Sequence, residues 1–391
     1  NSIKLNKIDS LATLGLKEDM MPGAQILVAR KGKVIYHKTF GHHTQQKKIK
    51  VSDDDVYDVA SLTKILATLP MIMELVDNGT INLNTRISEL LPDYIGSNKE
   101  DITVQQMLSH YAGIKSWIPF YITTLDSLKQ PDIKYYSKNK SKKYSIQVAN
   151  SMFARNDIKD SIYLQIMESE LYPKLNYKYS DLGYYLFKEA LEKKYKNSLD
   201  NLVQEQFYVP LGANRMTYLP LNKFDKSSIV PSEKDTYYRN QLLHGYVHDM
   251  GAAMLGGVGG HAGLFANAND VAKMMQLYLQ KGYYGGKRYF KKETFDKFNK
   301  RYFSDKEVRR GLGFDKPQLN PEIKATCGCV SDESFGHSGF TGAYTWADPE
   351  SGVLYVFLSN RVFPTMENYG LVKENIRTKI QQIIQEAILP E

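Results

Sequence analysis

Strand-like runs stand at the two ends of this chain, and nearly everything between them reads as helix. Near the start, AQILVAR and VIYHKTFG flank a Lys-Gly-Lys turn, a β-hairpin pattern. Near the end, FGHSGFTGAYTWAD and GVLYVFLSNR are β-rich and are joined by Pro349-Glu350-Ser351-Gly352, a turn signal. From about residue 85 to 305, ITVQQMLSHYAGI, SIYLQIMESELY, DLGYYLFKEALEKKY and NDVAKMMQLYLQKGYY carry apolar faces at helical period. A last amphipathic run, NYGLVKENIRTKIQQIIQEAIL, closes the chain. Strands that are remote in sequence but alike in character predict a discontinuous lobe. The expected fold class is α/β, with residues 1–84 and 306–391 forming an antiparallel sheet flanked by terminal helices. Residues 85–305 would be an inserted, mostly helical lobe, and the cleft between the two is the natural ligand site.

Length and composition agree with that plan. The 391 residues suffice for two domain-sized lobes with a sizeable core, and 42% hydrophobic with 24% charged is ordinary globular usage. No apolar run approaches the ~18 residues of a membrane span. The net charge of +8 raises a nucleic-acid reading, with KYYSKNKSKK (Lys134, Lys138, Lys140, Lys142, Lys143) as the densest patch. A solvated Lys-rich loop explains the patch, so no nucleic-acid partner is expected. The only cysteines, Cys327 and Cys329, are two residues apart, and so short a loop is expected to leave them as free thiols. The chain opens at Asn1 with neither Met nor a signal-peptide pattern. The expectation is a removed export signal or a longer polypeptide upstream, in a periplasmic or otherwise exported bacterial protein.

The run SLTKILATLPMIMELVDNG places Ile65, Leu69, Ile72, Met73 and Val76 at helical spacing, with Gly79 as a stop; Pro70 is expected to kink the helix or end its first segment. At its start, Ser61 and Lys64 lie three residues apart and project on one face. A serine hydroxyl needs a neighbouring base to become a nucleophile, and a lysine can serve only in a partly buried site. The helix N-terminus adds a free amide at Ser61 that can donate to an oxyanion. Alone the pair means little, because Ser-x-x-Lys is common and Ser61 as a helix cap is an ordinary alternative. Its weight comes from Tyr179-Ser180-Asp181 at the entry to a later helix and His337-Ser338-Gly339 at the start of a late strand.

In that order the three motifs resemble those of the class C β-lactamase, penicillin-binding D,D-peptidase and esterase superfamily. LVDNGTINLN, LSHYAGI and GGHAGLF look like further landmarks of that family. The later segments also look like the serine-hydrolase domain that follows a family 3 glycoside hydrolase domain in some Bacteroidetes proteins. A covalently fused upstream glycosidase domain is therefore one expected partner. The resemblance implies a β-lactamase/transpeptidase-like fold and an acyl-enzyme on Ser61. Lys64 would take the Ser61 proton or hold the network that does, and Tyr179 would relay it to the leaving group and help activate water. The backbone amides of Ser61 and Phe340 would form the oxyanion hole, with Gly339 keeping that strand bare for substrate.

Two departures matter. Asp181 stands where the family usually has Asn, and a carboxylate favours the charged form of Lys64. Either Tyr179 carries more of the base role or Asp181 mainly positions Lys64. His337 replaces a lysine, and imidazole is mostly neutral at pH 7. Both changes favour an esterase, amidase or D,D-peptidase over an efficient β-lactamase, with a small molecule, peptide or cell-wall fragment as substrate. The alternative is a non-turnover penicillin-binding sensor or an accessory module.

No Gly-rich phosphate loop follows a strand and no HExxH occurs, so neither a nucleotide nor a catalytic zinc is expected. His244, His248, Asp249 and His261 are of metal-ligating types, but their setting points to a Gly-rich loop whose histidines bond to backbone or shape the cleft wall, and no cofactor or metal is expected. Trp117, Pro119 and Phe120 are expected to pack in the core, with an acyl-pocket wall as the other possibility.

Overall fold

The computed structural model describes residues 2–320, 322 and 325–388. Strands from both ends of the chain form one five-stranded antiparallel sheet. Phe335–Ser338 lies at one edge, followed by Tyr344–Asp348, Val353–Ser359, Gly23–Arg30 and, at the other edge, Lys33–Gly41. Ala24 faces Ser359 and Arg30 faces Val353, so the two chain ends meet in the sheet centre. The hairpin closes at Lys31 and Gly32, with φ of 50° and 77°. Positive φ at both turn residues matches the twist of the flanking strands.

The central strands are apolar on both faces, which is why they read as continuous runs. Ala24, Ile26 and Val28 join Tyr355 and Phe357 against Ile8, Ala12, Ile376, Ile380 and Ile384 of the terminal helices. Leu27 and Ala29 join Leu354, Val356 and Leu358 in the main core. The helix Ala268–Leu279 covers this second face, packing on Gly23–Arg30, Tyr344–Asp348 and Val353–Ser359. A register slip of one residue would exchange the two cores. Gln25, buried among these apolar neighbours, is satisfied at every position. Its Nε2 donates to the Ser52 and Asp55 carbonyls at 2.7 and 2.9 Å, and its Oε1 accepts the Ala268 amide at 2.7 Å.

The first segment of the nucleophile-bearing run ends just before Pro70, as the proline predicts. The run proceeds from a 3₁₀ turn, Ala60–Leu62, through a π segment, Lys64–Thr68, into an α-helix, Leu69–Asp77, with Pro70 in its first turn. Proline has no amide to give the carbonyl one turn back, that of Leu66. The buried Tyr208 hydroxyl donates to it instead at 3.1 Å, and Tyr278 donates to the Ile65 carbonyl at 2.6 Å. Tyr208→Phe should therefore destabilise the fold by about 1–3 kcal/mol, the usual cost of an orphaned buried acceptor. Urea unfolding at constant m-value checks this.

Between the ends, helices dominate, as in Ile158–Glu168 and Leu182–Tyr195. A small three-stranded sheet also appears, with Tyr136–Ser137 and Tyr144–Ala149 flanking Met152–Arg155. Strands so short leave little alternation to read from sequence. The Lys-rich patch spans the strand Tyr136–Ser137 and the exposed loop that joins it to Tyr144–Ala149. One expectation is overturned: Cys327 and Cys329 are joined as a disulfide, with Cα atoms 5.2 Å apart. Gly328 between them takes a φ of 74°, which turns the chain sharply enough for so short a loop to close.

Candidate active site

Asp58 builds the turn that presents Ser61. Its Oδ1 accepts the Ala60 amide at 2.8 Å, its Oδ2 accepts the His248 amide at 2.7 Å, and its own carbonyl accepts the Thr341 hydroxyl at 2.7 Å. One buried residue thus ties together the Ser61 turn, the loop at 248 and the turn after His337. Ala60 is held at φ 46°, a left-handed conformation that costs an L-residue about 1–3 kcal/mol. Ser61 follows it, half-buried.

Lys64 has no solvent exposure, and its ammonium makes two hydrogen bonds and one ion pair. Nζ lies 3.0 Å from Ser61 Oγ, 3.2 Å from the His261 carbonyl and 2.7 Å from Asp181 Oδ1. It also sits 5.1 and 5.5 Å from the ring centres of Tyr179 and Tyr184. Burial alone would push this lysine down, but Asp181 and then Tyr179 outweigh it and raise its pKa above the ordinary 10.5. The ion pair leaves Lys64 charged at neutral pH.

Tyr179 and Asp181 are placed by the backbone just before the helix Leu182–Tyr195. The Ser180 amide donates to His110 Nδ1 at 3.1 Å, its hydroxyl to the Lys115 carbonyl at 2.6 Å, and the Asp181 amide to the Ser116 carbonyl at 2.9 Å. The Tyr179 ring, half-buried with its hydroxyl covered, packs against His110 and His337, with centroids 4.5 and 6.0 Å away, and the Arg310 guanidinium lies 5.1 Å from its centre. Burial, with the Asp181 charge, holds the phenol above its ordinary 10, although Lys64 and Arg310 pull it down.

His337 lies on the edge strand with Nδ1 2.8 Å from the Ser338 carbonyl, so Nδ1 carries the proton. The Ser338 side chain is exposed. A Cβ on Gly339 would come within 2.6 Å of the Val59 carbonyl and 3.4 Å of Ala60 Cβ, so this turn presses directly on the Ser61 turn. Gly339 donates its amide to the Ala343 carbonyl at 2.7 Å. Among the described residues, the amides of Ser61 and Phe340 have no acceptor. The Phe340 ring is held between His248, 5.6 Å away, and the Arg361 guanidinium, 4.6 Å away.

Every residue singled out for the site therefore converges on one place. Ser61, Lys64, His337, Ser338, Gly339 and Phe340 come from the sheet-forming ends, and Tyr179 and Asp181 from the middle of the chain. A family model described as Beta-lactamase matches residues 8–372. The chain belongs to the Beta-lactamase family. It is a serine hydrolase by that membership.

Among its relatives, an Escherichia coli (strain K12) protein named "Putative D-alanyl-D-alanine carboxypeptidase" is 27% identical over 366 residues, covering 87% of this chain and 78% of the relative. A Salmonella agona (strain SL483) protein of the same name is 28% identical over 373 residues, covering 89% and 80%. Two solved structures share the β-lactamase-type fold at low identity. EstCE1, a hydrolase with promiscuous acyltransferase activity, superposes with a TM-score of 0.70 at 16% identity, covering 98% of both chains. A penicillin-binding protein homologue from Caulobacter crescentus gives 0.64 at 17%, covering 91% of both.

The remaining histidines of this Beta-lactamase family member go to separate partners. His244 Nε2 contacts the Ile229 carbonyl at 2.7 Å, His248 pairs with Glu233 at 2.8 Å, and His261 pairs with Asp249 at 2.8 Å. Among the described residues, no three His, Cys, Asp or Glu side chains are grouped to hold a metal ion. Phe120 is buried against Tyr185, while Trp117 is 40% exposed beside the Lys115–Ser116 strip that anchors Tyr179 and Asp181. Sequence reasoning missed Asp58, His110 and Arg310. His110 lay inside LSHYAGI, which marked its segment but not its contact with Tyr179; Asp58 and Arg310 carried no spacing signal.

Burial, Arg310 and Lys64 together hold His337 well below its ordinary 6.5, and burial and Arg310 do the same for His110. Such groups stay neutral in the fold while the unfolded chain takes up their protons. Stability is thus unaffected above about pH 6.5 and falls below it, by about 1.4 kcal/mol per pH unit for each histidine. His337→Asn should lose less melting temperature than wild type between about pH 6.5 and 5; equal losses would refute this.

Proposed function

We propose that this protein hydrolyses an ester, amide or D-amino-acid peptide bond through an acyl-enzyme on Ser61. The observation that carries this reading is the 3.0 Å contact between Lys64 Nζ and Ser61 Oγ, next to two amides that have no acceptor. Ser61 Oγ attacks the carbonyl carbon, and the developing oxyanion accepts from the Ser61 and Phe340 amides. Because Asp181 keeps Lys64 charged, the proton-accepting role falls to the phenolate form of Tyr179, which burial makes the minor form and the Lys64 charge favours, with Lys64 also stabilising the alkoxide. Tyr179 returns the proton to the leaving group, then draws one from water as that water cleaves the acyl-enzyme. The relatives' name supports a D-amino-acid peptide as one substrate class, and export to where cell-wall fragments occur belongs to the same reading. Among the described residues, no helix is long and apolar enough to cross a membrane. A neutral His337 and an anionic Asp181 rank β-lactam hydrolysis below ester and peptide hydrolysis.

A fluorophosphonate probe with mass mapping, followed by a panel of activated esters, D-Ala-D-Ala peptides and a chromogenic cephalosporin, tests this. Ser61 should be labelled, and esters or peptides should turn over faster than the cephalosporin. No label on Ser61 would sink the reading. The Lys64–Asp181 pair also favours a second reading, acylation without efficient release, which labelling without turnover would support. Asp181→Asn should then speed deacylation, by roughly tenfold on burst-phase analysis.

A further inference from the structure

The charge around Tyr179 does not cancel. Lys64 and Asp181 neutralise each other at 2.7 Å. His337 and His110 touch the ring but stay neutral. Tyr184, on the following helix, is held as the neutral phenol by burial. Behind the ring, Arg309 and Arg310 share one carboxylate, Asp315. Arg309 takes it with two bonds, Nε to Oδ1 at 2.7 Å and Nη2 to Oδ2 at 2.9 Å. Arg310 is left 3.4 Å from Oδ1, with Nε donating to the Tyr177 hydroxyl at 3.2 Å and a buried Nη1 that has no acceptor. One unmatched positive charge therefore remains, carried by a guanidinium with 4% exposure, 5.1 Å from the Tyr179 ring centre.

We propose that Arg310 is a positioning residue of the proton-transfer site, supplying under Tyr179 the fixed positive charge that histidine at position 337 does not. A buried cation at this distance favours the phenolate over the phenol, the form of Tyr179 that can accept the Ser61 proton. Guanidinium suits the task because it keeps its proton even when desolvated. The inference rests on the acyl-enzyme reading and adds a group that opposes the upward push of burial on the Tyr179 phenol.

The test is kcat/KM for p-nitrophenyl butyrate across about pH 5 to 10, with parallel fluorophosphonate labelling. Arg310→Met should move the acid-side limb upward by roughly one pH unit, and Arg310→Lys should restore most of it. Asp315→Asn, which frees more of the positive charge, should move the limb the other way. A structural role would lower the rate at all pH values without opposite shifts. Coincident limbs in all three variants, with Ser61 still labelled, would overturn the role of Arg310 and leave the acyl-enzyme reading intact. A wild-type Ser61 that takes no label would instead remove that reading and this inference with it. If Arg310→Met does not fold, the Lys and Asn variants must still shift as stated.

Discussion

Ser61→Ala is expected to lower turnover of an activated ester by about 10⁴-fold or more, with little change in stability. The size follows from removing a nucleophile whose partners then have nothing to activate. The small stability change follows from geometry. Ser61 is half-buried, and Lys64 keeps both the His261 carbonyl and Asp181 when the hydroxyl goes. A change within about 0.5 kcal/mol is expected for such a site. The Ser61 and Phe340 amides also survive, so substrate binding should persist and the loss should fall on kcat. Steady-state kinetics with intact-mass detection of the acyl-enzyme separates these. Residual turnover above about one per cent of wild type would place the nucleophile elsewhere.

Lys64→Met should be the second most damaging change, and it should damage two properties together. Turnover should fall about 10²–10⁴-fold, the span of a lost acid–base or charge-stabilising partner. Stability should fall by about 3 kcal/mol, because Asp181, with its side chain only 19% exposed, loses the cation that compensates it. Adding Asp181→Asn to Lys64→Met should recover much of the stability and none of the turnover. That pattern would distinguish an uncompensated charge from a packing defect, since Met fills most of the space of the lysine stem. The pH dependence has a definite sign. Lys64 titrates above its ordinary 10.5 in the fold, so its contribution is complete below that value. It is lost only as pH climbs through the raised value. Denaturant midpoints that differ between wild type and variant by the same amount throughout the neutral range would agree with this.

The frame of the molecule was legible because it depends on local patterns. A hairpin with a Gly-bearing turn, helical apolar spacing and a turn at Pro349–Gly352 are short-range signals, and the sheet that joins both chain ends follows from them. The motifs at Ser61, Tyr179 and His337 were legible for another reason, since each fixes its neighbours within a few residues. Their order then narrowed the chemistry to a family. The two cysteines were misread where a single glycine changed the outcome, and the partner that completes the helix around Pro70 was not legible. Tyr208, far along the chain, serves the carbonyl that Pro70 cannot, and Gly328 closes a loop that sequence distance made unpromising.

By itself the sequence determined the motif residues Ser61, Lys64, Tyr179, Asp181 and His337 and the elements on which they ride, but not Asp58, His110 or Arg310 around them. Only the tertiary structure decided their charge states. Lys64 is an ammonium because burial and Asp181 act on it in opposite directions and the carboxylate at 2.7 Å prevails. His337 is neutral because it is buried beside Arg310, a residue no spacing rule connects to it. Electrostatic energies depend on distance and desolvation, and neither exists until segments hundreds of residues apart are packed together.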